Sequence, residues 1–262
     1  YAVHTCHTYR HLGTWLQTKS RHAKEVLSRA SAAKQQWGQL ARPFFRRNLA
    51  LATKARVFQA LVMSKMLYNV HTWAGIKPEE LETWNNHLRG PIALLMKGVL
   101  APQRKFRHTT DTLCAWCGML PLPQQVHMNR LRFAKRLFMR CPAITWSLLL
   151  ADTSPKSWLT SFHASCTWMR THYDRPQKLP TGDDTLAWIQ HICIDTQWKG
   201  RVKKAGHLAL QYHMAQAEHL IWQHNLEATL AQAGATLPAD PVPFQSPERW
   251  QCDLCSKVFA ST

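Results

Sequence analysis

Acidic side chains are scarce in this 262-residue sequence: 15 Asp and Glu stand against 33 Lys and Arg, a formal net charge of +18. The shortage is local. Residues 1–150 hold 5 acidic and 23 basic residues, net +18, whereas residues 151–262 hold 10 of each, net zero. An acid-poor block of this size either has a polyanionic partner or tolerates its own repulsion. Nucleic acid is the first candidate partner and a membrane surface the second. Long apolar runs are missing too. None approaches the ~18 residues of a spanning helix, so a transmembrane helix is excluded. The first residues carry no secretory pattern. There is no P-loop, GxSxG or HExxH segment, which removes the chemistry those motifs support. The eight cysteines are scattered apart from two CxxC pairs, so reduced thiols in an intracellular protein are expected rather than a disulfide framework. The chain begins at Tyr1 instead of Met and stops at Thr262, and it reads as a fragment.

What is present supports a folded, mainly α chain. Hydrophobic residues make up 45%, enough for a core, and the length suits one or two domains. Residues 1–17 carry β-formers around His11-Leu12-Gly13 and predict a short strand or hairpin. From Ser20, a plausible cap, Ala23, Val26/Leu27, Ala30, Ala33, Trp37 and Leu40 recur at helical spacing until Pro43. A second helix is predicted over 50–71, and a third after Pro78 with an acidic first turn that suits the dipole. Gly90-Pro91 should kink or break that third helix. A basic connector (Arg104, Lys105, Arg107, His108) leads to a short helix over 109–117 and a longer one from Pro121/Pro123 to Cys141. A helix over 153–173, capped by Ser154, and a helical region over 185–233, broken near Gly200 and Gly206, follow. Residues 236–249 are a Pro-rich linker, expected to be disordered.

Most of the suggestive side chains have a plain structural explanation. The twelve tryptophans read as core packing. His4, Cys6, His7 and His11 point to opposite faces of a strand. Cys114 and Cys117 lie in an apolar helical context and read as buried thiols. Asp183-Asp184 follows Pro180 and precedes a helical pattern, so N-capping explains it better than two-metal chemistry. His207, His213, His219 and His224 contain no i, i+4 pair. By contrast, Arg132, Arg136 and Arg140 form an i, i+4, i+8 basic ridge with almost no acid nearby, a candidate phosphate contact. In the tail, Trp250-Gln251-Cys252-Asp253-Leu254-Cys255 followed by Phe259 resembles the first half of a C2H2 zinc finger. Cys252 and Cys255 are its candidate zinc ligands. No His follows residue 224, so Zn2+ would bind only if the finger were completed beyond residue 262.

The order of motifs in the first 141 residues resembles another family. Tyr9-Arg10-His11-Leu12-Gly13-Thr14 is similar to the Y-x-x-L-G strand after the palm of non-LTR (LINE-type) retrotransposon reverse transcriptases. Leu49-Ala50-Leu51-Ala52-Thr53-Lys54-Ala55-Arg56-Val57-Phe58, Met66-Leu67-Tyr68-Asn69 and Trp73 resemble the thumb helix of that family. Asn69 and Thr72 stand where the family often has Gly and Glu. Leu113, Gly118-Met119-Leu120-Pro121-Leu122 and Arg130-Leu131-Arg132-Phe133 resemble a segment further downstream.

The resemblance implies a thumb-like helical bundle over 1–100 and a basic helical connector over 101–145. Beyond these lie a helical region of unnamed role over 146–235, the linker, and half a finger over 250–262. It also implies the C-terminal part of an RNA-directed DNA polymerase, gripping the primer–template backbone and lacking the palm. The missing palm would hold Mg2+, and this chain would be inactive alone. Tyr9, Leu12 and Gly13 would sit beside the primer grip. Arg21, Lys24, Arg29, Lys34, Arg42, Arg46, Arg47, Lys54, Arg56, Arg132, Arg136 and Arg140 would contact phosphates of an RNA–DNA hybrid or duplex DNA without reading sequence. The other expected partners are the upstream palm and fingers, against which Trp15, Trp37 and Trp73 could pack. No membrane partner is expected, and a nuclear location is. The rival reading is a zinc-finger DNA-binding or regulatory protein with a helical scaffold.

Overall fold

The computed structural model describes residues 8–11, 14–17, 22–41, 49–96, 108–182, 184–232, 249–251 and 258–260. The chain is mainly α. Thr8–His11 (β1) and Thr14–Gln17 (β2) pair antiparallel, with Tyr9 opposite Leu16. Helices follow: α1 Ala23–Leu40, α2 Leu51–Phe58, a π-helical turn Gln59–Met63, α3 Ser64–Met66 and α4 Pro78–Leu95. Next come α5 Thr110–Trp116, α6 Leu122–Arg140, α7 Ala143–Ala151, α8 Trp158–His172, α9 Thr185–Ile194 and α10 Trp198–Gln232. Arg249–Gln251 (β3) and Val258–Ala260 (β4) pair antiparallel near the end. Residues 1–218 form one compact unit and 219–262 a second. The expected divisions at 100/101 and 145/146 fall inside the first unit. Among the described residues, no helix is long and apolar enough to cross a membrane.

The first unit packs two layers of side chains. In the first, Val26, Ala30, Ala33, Trp37 and Leu40 of α1 meet Phe58, Val62, Met66, Trp84, Leu88 and Ile92, all buried. Spacings of three and four put these α1 residues on one stripe. Glu80 serves two helix starts at once. Its carboxylate accepts from Lys77 N (3.0 Å) in the first turn of α4 and from His22 N (2.7 Å) at the entrance to α1. In the second layer, Leu131, Ala134 and Phe138 of α6 pack with Trp158, Phe162 and Met169 of α8, Trp188 and Ile192 of α9, and Trp198, Val202 and Ala205 of α10.

Arg130 ties the layers together. It is 3% exposed, and its guanidinium donates to Trp73 O (2.7 Å), Ser161 O (3.1 Å) and Ser165 Oγ (3.2 Å). No carboxylate joins this cluster, so burial lowers its pKa to about 10.

Several expectations are corrected. Trp37 and Trp73 are buried within this chain and need no upstream domain. Gly90-Pro91 does not interrupt α4, whose buried Leu88, Ile92 and Leu95 hold it on both sides. The second helix ends at Met66, and Asn69 turns the chain with φ +59. The cap of α8 is Ser157, whose Oγ accepts from Thr160 N (3.0 Å), three residues beyond Ser154. The break in the last helical region comes at Asp195, before α10, and not at the glycines. There Asp195 Oδ1 accepts from Gln197 N (2.9 Å) and starts the next helix. At Gly206 α10 comes close to α6: an added Cβ would lie 2.7 Å from the flexible Met128 Sδ.

Candidate nucleic-acid interface

The α6 register decides which arginines can serve a ligand. Leu131, Ala134 and Phe138 take the core face, so Arg132, Arg136 and Arg140, one residue on or more, turn outward. All three are exposed. Arg130, two residues before Arg132, is turned fully inward.

Helix α10 repeats this division. It carries four Lys or Arg: Lys199, Arg201, Lys203 and Lys204. Two are matched by acids. Arg201 Nε lies 2.9 Å from Asp195 Oδ2, an ion pair angled outside hydrogen-bond geometry, and Lys204 Nζ lies 2.5 Å from Asp174 Oδ2. The other two, Lys199 and Lys203, are exposed and stand four residues apart.

These two i, i+4 pairs line one cavity. Arg132, Arg136, Lys199 and Lys203 surround a space of about 490 Å³ with His71, Asn129 and Phe133. A second cavity of about 710 Å³ shares His71, Asn129, Arg132 and Lys203 with it, so the two form one groove. Among the described residues, no Asp or Glu lines either part. Four residues along a helix rise about 6 Å. The groove therefore presents two i, i+4 pairs of cations, each at a spacing close to that of successive phosphates on a strand. Burial lowers the pKa of His71, with the nearby charges of Arg136 and Arg130 adding to the effect, so the imidazole stays neutral. Partial burial also lowers the pKa of Arg132, which remains charged.

The remaining sequence-expected contacts divide by position. Lys24, Lys34 and Arg56 are exposed on α1 and α2, away from the groove lining. Arg29 is spent within the fold: Nη2 lies 2.6 Å from Glu25 Oε1, and the guanidinium stands 4.4 Å over the Tyr68 ring. Lys54 is buried, because Ala55 and Phe58 draw its side of α2 inward. Neither of these two is placed to meet phosphate. Arg140 lies beyond the groove. Arg21, Arg42, Arg46, Arg47, Leu12, Gly13, Cys252 and Cys255 lie outside the described residues, as does the side chain of Tyr9.

Sequence reasoning missed Lys199, Lys203, His71 and Asn129. A partial signal existed for the lysines. Asp195 and Asp174 are too few to balance the cations of α10, but the pairing needed Asp174, 30 residues before Lys204 in the sequence.

The metal-like patterns carry no cluster. Burial pushes the Cys117 thiol up to about 12 and raises Cys114 as well, so both stay protonated. Asp184 caps α9, its Oδ1 accepting from Leu186 N (2.9 Å) and Ala187 N (3.1 Å). His207 lines the groove, His213 is half-buried, and His219 stacks on Trp222. Among the described residues, no group of three or more His, Cys, Asp and Glu is placed to hold a metal ion. The chain matches no protein-family model, no curated protein and no solved structure.

Proposed function

We infer that this chain binds nucleic acid through its backbone, as the grip of a retrotransposon-type RNA-directed DNA polymerase whose palm lies elsewhere. One observation carries the reading: Arg132, Arg136, Lys199 and Lys203 line one groove in which, among the described residues, no acid faces them. Lone surface cations are usually solvated, but two i, i+4 rows converging on one cavity, with the local acids used on the opposite side, make a phosphate track. Such a track holds any sequence, which suits an enzyme that moves along its template. The polymerase assignment rests further on the order of motifs around Tyr9-Leu12-Gly13, Lys54-Phe58 and Gly118-Leu122. Mg2+ would belong to the missing palm and is not required for binding here.

The test is fluorescence anisotropy with a labelled RNA–DNA hybrid across salt. Four neutralised phosphates give a log–log slope near about −3.6, a loss of about a hundredfold between 50 and 200 mM salt. Arg132→Glu with Arg136→Glu should abolish most of the binding at low salt. Binding that ignores salt, or survives that double reversal, removes the groove as the interface.

A second reading is supported by β3 and β4. Their pairing sets Trp250 opposite Phe259, and in the sequence Cys252 and Cys255 fall between the two strands, the order in which a C2H2 finger carries its two thiolates. In that reading the helical unit is a scaffold beside a DNA-binding finger. Zinc added to a chain extended beyond residue 262 through two histidines should then order the tail, seen as a gain of cobalt–thiolate absorbance on substitution with Co2+.

A further inference from the structure

The larger part of the groove has a composition that phosphate binding does not explain. Beyond the shared cations, its lining mixes apolar side chains (Met63, Leu67, Met128) with polar ones such as His207, and includes the amides of Gln59 and Asn69. Asn129 stands at the junction with the cationic part, in the lining of both. A volume of about 710 Å³ falls within the usual range of small-ligand sites. Two backbone irregularities line it as well. The π-helical turn Gln59–Met63 supplies Gln59 and Met63, and Asn69 holds a left-handed conformation. Such turns are frequent where a helix serves a ligand.

We propose that this pocket receives one unstacked base of a single-stranded nucleic acid, while the phosphates on either side of it lie along Arg132, Arg136, Lys199 and Lys203. The proposal rests on the backbone-binding reading above. The chemistry of a base meets both halves of the site. Its flat faces need apolar walls, and its edges need groups that donate and accept, as amides do. A duplex keeps its bases stacked and paired, so it can use the cation rows but not the pocket. The occupied strand is therefore a single-stranded segment, such as a template overhang. The amides of Gln59 and Asn129 can turn to suit any of the four bases, which keeps the site tolerant of sequence.

The test uses the full chain and three labelled 12-mers: a single strand, the same strand with abasic residues at every position, and an RNA–DNA hybrid. The abasic strand retains every phosphate. The single strand should bind about tenfold more tightly than the abasic strand, with equal salt slopes. Gln59→Trp, on an exposed position of the turn, and Asn129→Leu should each reduce that ratio to near one while leaving the slope unchanged. Circular dichroism checks that each variant is folded, and either variant alone is sufficient. Equal binding of intact and abasic strands overturns the base pocket but leaves the backbone grip. Retention of the tenfold ratio in both variants also overturns it, since the base would then sit elsewhere. Absence of salt-dependent binding to all three probes overturns the backbone reading itself.

Discussion

Replacing Arg130 by Met isolates what a buried cation without a counter-ion contributes. Two terms oppose each other. The guanidinium makes three hydrogen bonds, to Trp73 O, Ser161 O and Ser165 Oγ. Bonds from a charged donor contribute about 1.5–3 kcal/mol each, so the gain is roughly 4.5–9 kcal/mol. Against it stands burial, which brings the pKa down to about 10. Holding the charge in that setting costs on the order of 3 kcal/mol. The balance favours Arg by about 1.5–6 kcal/mol. Methionine fills much of the volume and carries no charge, and apolar replacement of a buried ion pair is often harmless. Here the acceptors stay behind. Ser161 O still accepts from Ser165 Oγ at 2.9 Å, but Trp73 O loses the short bond that satisfied it. Urea unfolding followed by tryptophan fluorescence should show Arg130→Met less stable by that amount, with a melting temperature lower by roughly 3–24 °C. Arg130→Lys should fall between, since a single ammonium cannot span all three acceptors. An Arg130→Met protein as stable as the parent would refute the reasoning, because it would mean the three bonds only offset desolvation.

Acid should destabilise the fold through His127, whose pKa burial lowers from 6.5 to about 4, with Arg130 and His172 adding to it. Between those values the unfolded chain binds a proton that the folded chain does not, so stability is unaffected above about pH 7 and lost as pH falls. The loss should reach about 2 kcal/mol by pH 5, read from urea midpoints, and His127→Gln should remove that share. His71, His191 and His213 are lowered in the same direction and should leave a residual acid sensitivity in that variant. Gly206→Ala should be nearly neutral in the same assay, because the Met128 thioether can swing aside and Ala favours a helix by about 1 kcal/mol. Gly206→Leu should cost roughly 1–3 kcal/mol, since Leu120 also stands 3.5 Å from the added Cβ. Lys199→Ala with Lys203→Ala should make the salt slope on duplex shallower by about 1.8 while leaving the fold intact.

The sequence periodicity read α1 and α6 well because each has one apolar stripe and a polar remainder. The inward set Leu131, Ala134 and Phe138 could be taken directly from spacing, and with it the outward Arg132, Arg136 and Arg140. It failed where local and tertiary terms compete. Gly90-Pro91 and the glycines of α10 have poor helix propensity, yet Ile92, Val202 and Ala205 are fully buried and keep both helices continuous. Helix α7 was not expected as a separate helix; only the broad helical region over 146–235 covered most of it. Its apolar residues leave Ile144 and Leu148 exposed, so it has no amphipathic pattern to detect. Lys54 and Arg29 were misplaced for a shared reason. Charge alone does not tell a solvated side chain from one drawn inward by its neighbours or held by a ring and a carboxylate.

The charge asymmetry sharpens the same point. Residues 151–262 are neutral in sum, and on that ground they had no share in an anion site. Neutrality in sum is compatible with separation in space. Asp195 and Asp174 take Arg201 and Lys204, while Lys199 and Lys203 remain over the groove. The neutral half thus supplies as many cations to the site as the basic half does. The first half supplies its own pair on a helix almost without acids, while the second reaches the same result by pairing acids off on one side of α10. An anionic ligand in the groove meets the local field of these four groups within about a Debye length, roughly 8–10 Å, and not the net charge of either half. If that is the operative field, reversing a distant exposed cation such as Lys34 should leave affinity at 0.15 M salt nearly unchanged, whereas reversing Lys203 should lower it more than tenfold. Equal losses from the two would return the binding to overall charge and deprive the groove of its role.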